Sequence, residues 1–315
     1  MSDPRAEHLA TRRAAGLFDF SFMGRYEFAA SDALEPLQSR KLARLSPGRI
    51  AYTLLLNEDG SVFNDATLWR LDAQRWWLFT GRRSDFDWIH ARAPARDRSG
   101  EHAVLALQGP ASGAILARLI GEAAVRALGY FSFKAFFIEK ELAACIGRLG
   151  YSGELGYELV VAAADAGAAG RALLEAGRAW GLRECSFEAA DSLRIESGYV
   201  LFGREITGRE DPFALGLGRL LERPRRGLAG FSERLVGVEM VQRGPGAGLR
   251  PWLPLARVTS ECDSPIFGRR LGLGFAACAE ARPGTLVRLV DGRLACVARL
   301  PFYDPPRRLP RARPL

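Results

Sequence analysis

Two glutamates four residues apart in GYSGELGYELVV, Gly150 to Val161, are the chain's clearest candidates for chemistry, because neither belongs on an apolar strand. Gly150, Gly153 and Gly156 interrupt the segment, so the backbone must turn tightly and approach something closely before strand alternation starts at Tyr157. Glu158 then sits near the start of a strand, where its carboxylate either points to water or accepts a ligand's donor pair. A second acid, Asp65, follows Asn64 in the middle of the otherwise burial-suited run SVFNDATLWRL. A charge so placed costs free energy unless it is paired or serves a site. Structural hydrogen bonding and catalysis are both open to it.

Metal and thiol chemistry lack the residues they need. Cys145, Cys185, Cys262, Cys278 and Cys296 include no CxxC pair, and His8, His90 and His102 are far apart, so neither set has metal-site spacing. Dispersed thiols with no neighbouring base read as reduced packing residues.

The elements that must position the acids follow from periodicity and turn signals. Residues 1 to 15 form a polar helix ending at Gly16, then short strands cover Leu17 to Ser21 and Arg25 to Ala29. Ser31 opens a helix expected to run to about Leu45, before Pro47-Gly48. IAYTLLLN, SVFNDATLWRL and RWWLFTG, separated by EDG and DAQ, make a three-stranded antiparallel meander. A helix from Ser84, the strand HAVLALQGP and a helix from Ala111 to about Ile120 come next. An aromatic run from Phe131 to Phe137 and a strand from Leu142 lead into the glycine-rich segment. Helices over Ala162 to Trp180 and Phe187 to Gly198 follow. Strands mixed with single helices in this way predict an α+β fold. Residues 222 to 230, ERPRRGLAG, mark a boundary, and the short strands beyond them predict an all-β module.

A chain of 315 residues holds more than one domain's core, and 48% hydrophobic with 25% charged residues is the composition of a globular protein. No apolar run is long enough to span a bilayer, and the N-terminus has no secretory signal, so a cytoplasmic location is expected. The net charge of +8 is almost all arginine, with clusters at 223 to 226 (RPRR) and 307 to 313 (RRLPRAR). Both are proline-rich and read as linker or tail, and no helix-turn-helix or aromatic-interleaved motif supports a nucleic-acid partner.

Six segments in order resemble the glycine-cleavage T-protein, or aminomethyltransferase, family. GLFDFSFMGRYEF is similar to its G-hydrophobic-F-D-hydrophobic-S-H-M-G segment, and LLLNEDGSVFNDATLWRL to its L-N-x-x-G-G-hydrophobic-x-D-D-L stretch. ALQGP matches LQGP, GYSGELGYEL matches G-Y-T-G-E-x-G-hydrophobic-E, and ADSLRIESGYVLFGREI resembles the A-R-D-S-L-R-L-E-x-G-x-x-L-Y-G block. DPFALGLGRLL and the late segments VTS, SP and PFY also have counterparts.

The resemblance implies a three-domain cloverleaf fold with a C-terminal β-barrel. Residues 1–36 plus 111–221 would form a folate-binding domain, 37–110 an antiparallel-sheet domain and 231–315 the barrel. It implies tetrahydrofolate as cofactor, Glu158 as pterin ligand and Asp65 as the acid near the folate's reactive nitrogens. Met23, Tyr151 and Trp77 match pocket-lining positions, and Asp191 matches the acid of A-R-D-S. Ala190 replaces an arginine of the family, for which Arg194 or Arg204 is the stand-in; Asn64 replaces the first acid and Phe22 the histidine of S-H-M. The family's leading G-W-x-M-P segment has no counterpart here. The implied activity is one-carbon transfer to N5 of tetrahydrofolate, from an aminomethylated lipoyl carrier protein or from a small O-, N- or S-methyl substrate. Non-catalytic folate-binding relatives that maintain iron-sulfur proteins form the competing class. They carry K-G-C-x-x-G-Q-E where this chain has ESGYVLFGRE.

Overall fold

The largely apolar runs HAVLALQ and GYELVVA form two strands, His102–Gln108 and Gly156–Ala162, that pair antiparallel in a six-stranded sheet and are buried almost throughout. The computed structural model describes residues 3–29, 31–222, 230–241 and 253–315. They divide into two units: Met1–Leu55, Asp65–Ala190 and Arg307–Leu315 form one, and Leu56–Asn64 with Asp191–Pro306 the other.

In the first unit the six-stranded sheet runs in the order Arg183–Cys185, Gly16–Asp19, His102–Gln108, Gly156–Ala162, Leu142–Gly147, Phe133–Ile138. Successive side chains take opposite faces of a strand. Leu17, Leu105, Leu107, Ile146, Tyr157, Leu159 and Val161 therefore share one face, and they bury against helices Ser112–Ile120 and Ala166–Gly177. Ala169, Ala172, Leu173 and Ala176 supply the second helix's apolar stripe at 3.6-residue spacing. Glu158 lies on the other face, with its cross-strand partners Ala106 and Gly147.

That face meets a five-stranded sheet ordered Ile50–Leu56, Val62–Arg70, Trp76–Thr80, Gly24–Phe28, Arg96–Asp97. Trp69 is the contact. Its ring centroid is 4.9 Å from that of Phe133, and a Cβ on Gly147 would stand 2.3 Å from its indole. Only glycine at 147 lets the ring approach so closely. The predicted meander is present. Gly24–Phe28 extends it, and His102–Gln108 sits in the six-stranded sheet beside Gly16–Asp19.

Two local expectations are corrected. The helix from Ser31 stops at Leu34 and continues only as isolated 3-10 turns at Glu35–Leu37 and Leu42–Arg44. Pro36 cannot donate into a helix, and the Gln38 side chain takes over the backbone, accepting from Arg40 N at 2.6 Å and donating to Arg40 O at 2.8 Å. The arginine-rich segment at 307 to 313 is no free tail, since Arg307–Leu315 belongs to the first unit. Arg148 Nη2 donates to the Ala312 carbonyl, Arg311 lies over the Tyr130 ring, and Gly113 leaves room for the Pro314 carbonyl. Residues 223–229, which hold the RPRR cluster and most of the 222–230 boundary, lie outside the described residues.

In the second unit, Glu233–Met240, Arg269–Ala277, Leu255–Ser264, Leu286–Leu289 and Leu294–Ala298 close into the expected barrel. Val236, Val238, Ala256, Val287, Leu289 and Val297 are part of its core. Among the described residues, no helix is long and apolar enough to cross a membrane.

Candidate functional site

Two of the three glycines of GYSGELGYE, Gly150 and Gly156, make room for a side chain from the neighbouring strand. A Cβ on Gly150 would fall 1.9 Å from Gln108 Oε1, and one on Gly156 2.4 Å from its Nε2. Gln108 thus fills the inside of the turn, held by Ser152 Oγ, which donates to Oε1 at 2.8 Å. Gly153 takes a left-handed φ of 82°, which a side chain would strain.

The segment's two glutamates are separated by their partners. Glu154 is buried and ion-paired to Arg12 Nη1 at 2.9 Å, and the same nitrogen donates to Ser152 O at 2.8 Å. It braces the turn. Glu158 is 7% exposed, and no donor from the described residues reaches its carboxylate. Burial without a compensating donor pushes its carboxyl from the ordinary 4.5 up to about 7. A ligand presenting two parallel N–H donors would satisfy this carboxylate and favour its ionised form.

Asp65 projects from the sheet that faces Glu158. It alternates with Thr67 and Trp69 on one face, and Trp69 Nε1 donates to Thr67 Oγ1 at 3.2 Å. Asp65 is half-buried, and Tyr52 Oη donates to its Oδ2 at 2.9 Å. Both carboxylates therefore lie on the facing sides of the two sheets. Trp77, directly across from Trp69, belongs to the same face. It is already engaged: its Nε1 donates to Glu27 at 3.1 Å and the Arg25 guanidinium stacks 4.8 Å from its ring. Burial lowers Arg25 to about 10, and burial together with the adjacent Arg25 lowers His102 to about 4, so His102 accepts from Arg25 as a neutral ring. Met23 closes a turn on Phe20 O at 3.0 Å, and Tyr151 lies in the glycine turn; both are half-buried.

Arg194, one of the two arginines expected to replace the one missing at 190, bonds to partners within its own unit. It is fully buried in the second unit, with Nε on Asp191 Oδ1 at 2.8 Å, Nη1 on Glu205 Oε2 at 2.7 Å and Tyr199 O at 3.0 Å, and Nη2 on Ser260 Oγ at 2.6 Å. Asp191 is committed to that guanidinium. The shift in strand register between Val258 and Ser260 explains why two successive hydroxyls converge there: Thr259 Oγ1 and Ser260 Oγ both donate to Glu205 Oε1, at 2.5 and 2.6 Å. Neither Tyr52 nor Gln108 was visible as a site residue in sequence. Tyr52 is one of two hydroxyls, with Thr53, in the strand IAYTLLL, and nothing in the sequence separates their roles.

An aromatic ladder runs beside Met23. Phe18, Phe20, Phe22 and Phe187 follow one another at 5.9, 5.9 and 5.5 Å between centroids, and the last two rings are each 42% exposed.

A family model, the GCVT N-terminal domain, matches residues 2–224. The aminomethyltransferase of Symbiobacterium thermophilum is 36% identical over 339 residues, covering 96% of this chain and 90% of that protein. The Bacillus subtilis aminomethyltransferase is 33% identical, covering 96% and 91%. The crystal structure of the glycine cleavage system aminomethyltransferase T from Bartonella henselae aligns with a TM-score of 0.80 at 27% identity, over 96% of this chain and 90% of that one. Domain match, relatives and shared α+β fold with its barrel agree with the ordered motifs, and the chain belongs to the aminomethyltransferase family of enzymes.

Proposed function

We propose that the chain is a tetrahydrofolate-dependent one-carbon transferase in which Glu158 holds the pterin and Asp65 serves the transfer. The observation that carries this reading is the buried Glu158 carboxylate without a protein donor. The 2-amino and N3 hydrogens of a reduced pterin are a parallel donor pair of the kind such a carboxylate accepts bidentately. Charge-assisted bonds of this sort contribute roughly 1.5 to 3 kcal/mol each. When bound, tetrahydrofolate supplies the nucleophilic amine that takes up the one-carbon unit. Asp65 is assigned the proton at N5 and the positive charge that develops near it. Tyr151, Met23 and Trp77 are assigned to the walls, whereas Asp191 and Arg194 serve their own unit. The proposed donor is an aminomethyl group on a lipoyl carrier protein, with ammonia as the other product.

A second reading, demethylation of a small O-, N- or S-methyl substrate, is favoured by the exposed Phe22–Phe187 pair where the family has a histidine. Ammonia release from an aminomethylated carrier, set beside formation of 5-methyltetrahydrofolate from methylated donors, separates the two.

Calorimetry with tetrahydrofolate tests the shared core. Wild-type protein is expected to bind, Glu158→Gln to bind roughly tenfold or more weakly, and Asp65→Asn to bind within about twofold while losing turnover roughly a hundredfold. No heat of binding with wild type would sink the reading. Affinity should also rise with pH and level off above about 7, because the ligand selects the ionised Glu158 and the free carboxyl titrates there. Glu158→Gln should flatten that dependence.

A further inference from the structure

We propose that Tyr52 is the positioning residue of Asp65, its phenol holding the carboxylate in the orientation that the one-carbon transfer uses. The inference rests on the folate reading above and deepens it.

Three observations carry it. Tyr52 is the one residue of the strand Ile50–Leu56 that is not buried. Thr53, the other hydroxyl of that strand, is buried and already donates to Gln38 Oε1 at 2.9 Å, so the half-buried phenol at 52 is the polar group the strand holds toward Asp65. Its hydroxyl donates to Asp65 Oδ2 at 2.9 Å, on the adjacent strand Val62–Arg70. Asp65 lies on the same face as Trp69, which packs against Gly147, directly across from Glu158. The pair therefore belongs to the side of the sheet that faces the proposed pterin ligand.

The chemistry follows from what a phenol does to a carboxylate. A hydrogen bond to the ionised form favours that form, and it removes the freedom of a short side chain to turn its charge away. A charge oriented before the reaction needs no reorganisation as positive charge develops beside it. A phenol anchored in a strand supplies this donor without adding a second charge, as an arginine in its place would.

Tyr52→Phe removes only the hydroxyl and keeps the ring. In the full-length protein it is expected to lower kcat roughly tenfold while leaving the KM for tetrahydrofolate within about twofold. In an Asp65→Asn background the same change should cost nothing further in kcat, since the group it positions is gone. A readout independent of turnover accompanies this. Urea denaturation of wild type, both single variants and the double variant should be non-additive, with Tyr52→Phe destabilising only where Asp65 is present. A kcat within twofold of wild type, or an equal fold-loss in both backgrounds, overturns the proposal. If wild type binds no tetrahydrofolate, the folate reading and this inference fall together; if binding is intact and kcat is untouched, only the role of Tyr52 falls.

Discussion

Glu205 and Glu158 are both buried carboxylates, one in each unit, and the protein treats them in opposite ways. Glu205 accepts from Arg194 Nη1 at 2.7 Å, Ser260 Oγ at 2.6 Å, Thr259 Oγ1 at 2.5 Å and Leu201 N at 3.0 Å. Glu158 accepts from no described residue. Taking an ionised carboxylate out of water costs several kcal/mol. At Glu205 an arginine, two hydroxyls and a backbone N–H offset that cost. At Glu158 it is left standing, and the carboxyl moves up to about 7 instead. Burial of an acid alone does not mark a ligand site. The number of donors that the protein itself supplies is what distinguishes a structural clamp from a site that awaits a partner.

The largest effect is expected on the clamp. Glu205→Ala leaves Arg194 charged and fully buried with its main counter-ion gone, which should cost about 3–5 kcal/mol in urea denaturation. A loss below about 1 kcal/mol would mean that Asp191 and the remaining acceptors hold the guanidinium by themselves, and the contrast with Glu158 would collapse.

Glu158→Gln should act in the other direction on the ligand-free protein. The folded carboxyl is raised from 4.5 to about 7, so the native state is not penalised below 4.5. Stability is lost as pH rises between those two values and stays reduced above about 7. The rise from 4.5 to about 7 limits what the glutamine regains at pH 8 to between about 3 and 4 kcal/mol. Melting of both proteins at pH 4 and pH 8 checks the sign: equal stability at pH 4, with the variant ahead at pH 8. A variant less stable at pH 8 would reveal a donor at Glu158. Coupled with weaker tetrahydrofolate binding, the expected gain would identify the wild-type carboxylate as stability given up for recognition.

How much of this was legible in sequence depends on how local the cause was. The meander was legible because period-2 alternation and the turns EDG and DAQ lie within a few residues of one another. Glu158 was legible as an acid in an apolar strand, but its lack of a donor is a property of what surrounds it in space. The helix expected from Ser31 failed through Pro36 and a glutamine side chain that competes for the backbone. Arg194 lies one helical turn from Ala190, and its partners are not legible in sequence. The serine that consumes it is 66 residues away and reaches it at a break in strand register that no residue pattern announces. Tyr52 and Asp65 meet across two strands, so their spacing of 13 residues carries no motif.

The smallest effect tests the facing of the strand itself. Tyr157 precedes Glu158 and points to the helix-covered side, fully buried, with a hydroxyl that no described residue bonds. Burial pushes that phenol up to about 12. It too is an unsatisfied polar group, but a neutral one enclosed by apolar side chains, on the face away from the proposed ligand. Tyr157→Phe should therefore be neutral or stabilising by no more than about 1 kcal/mol, since it removes a hydroxyl that gave up water without gaining a partner. Tetrahydrofolate affinity should stay within about twofold of wild type. A tenfold loss of affinity would place ligand chemistry on the helix side of the strand and break the assignment of Glu158, by its face, to the site.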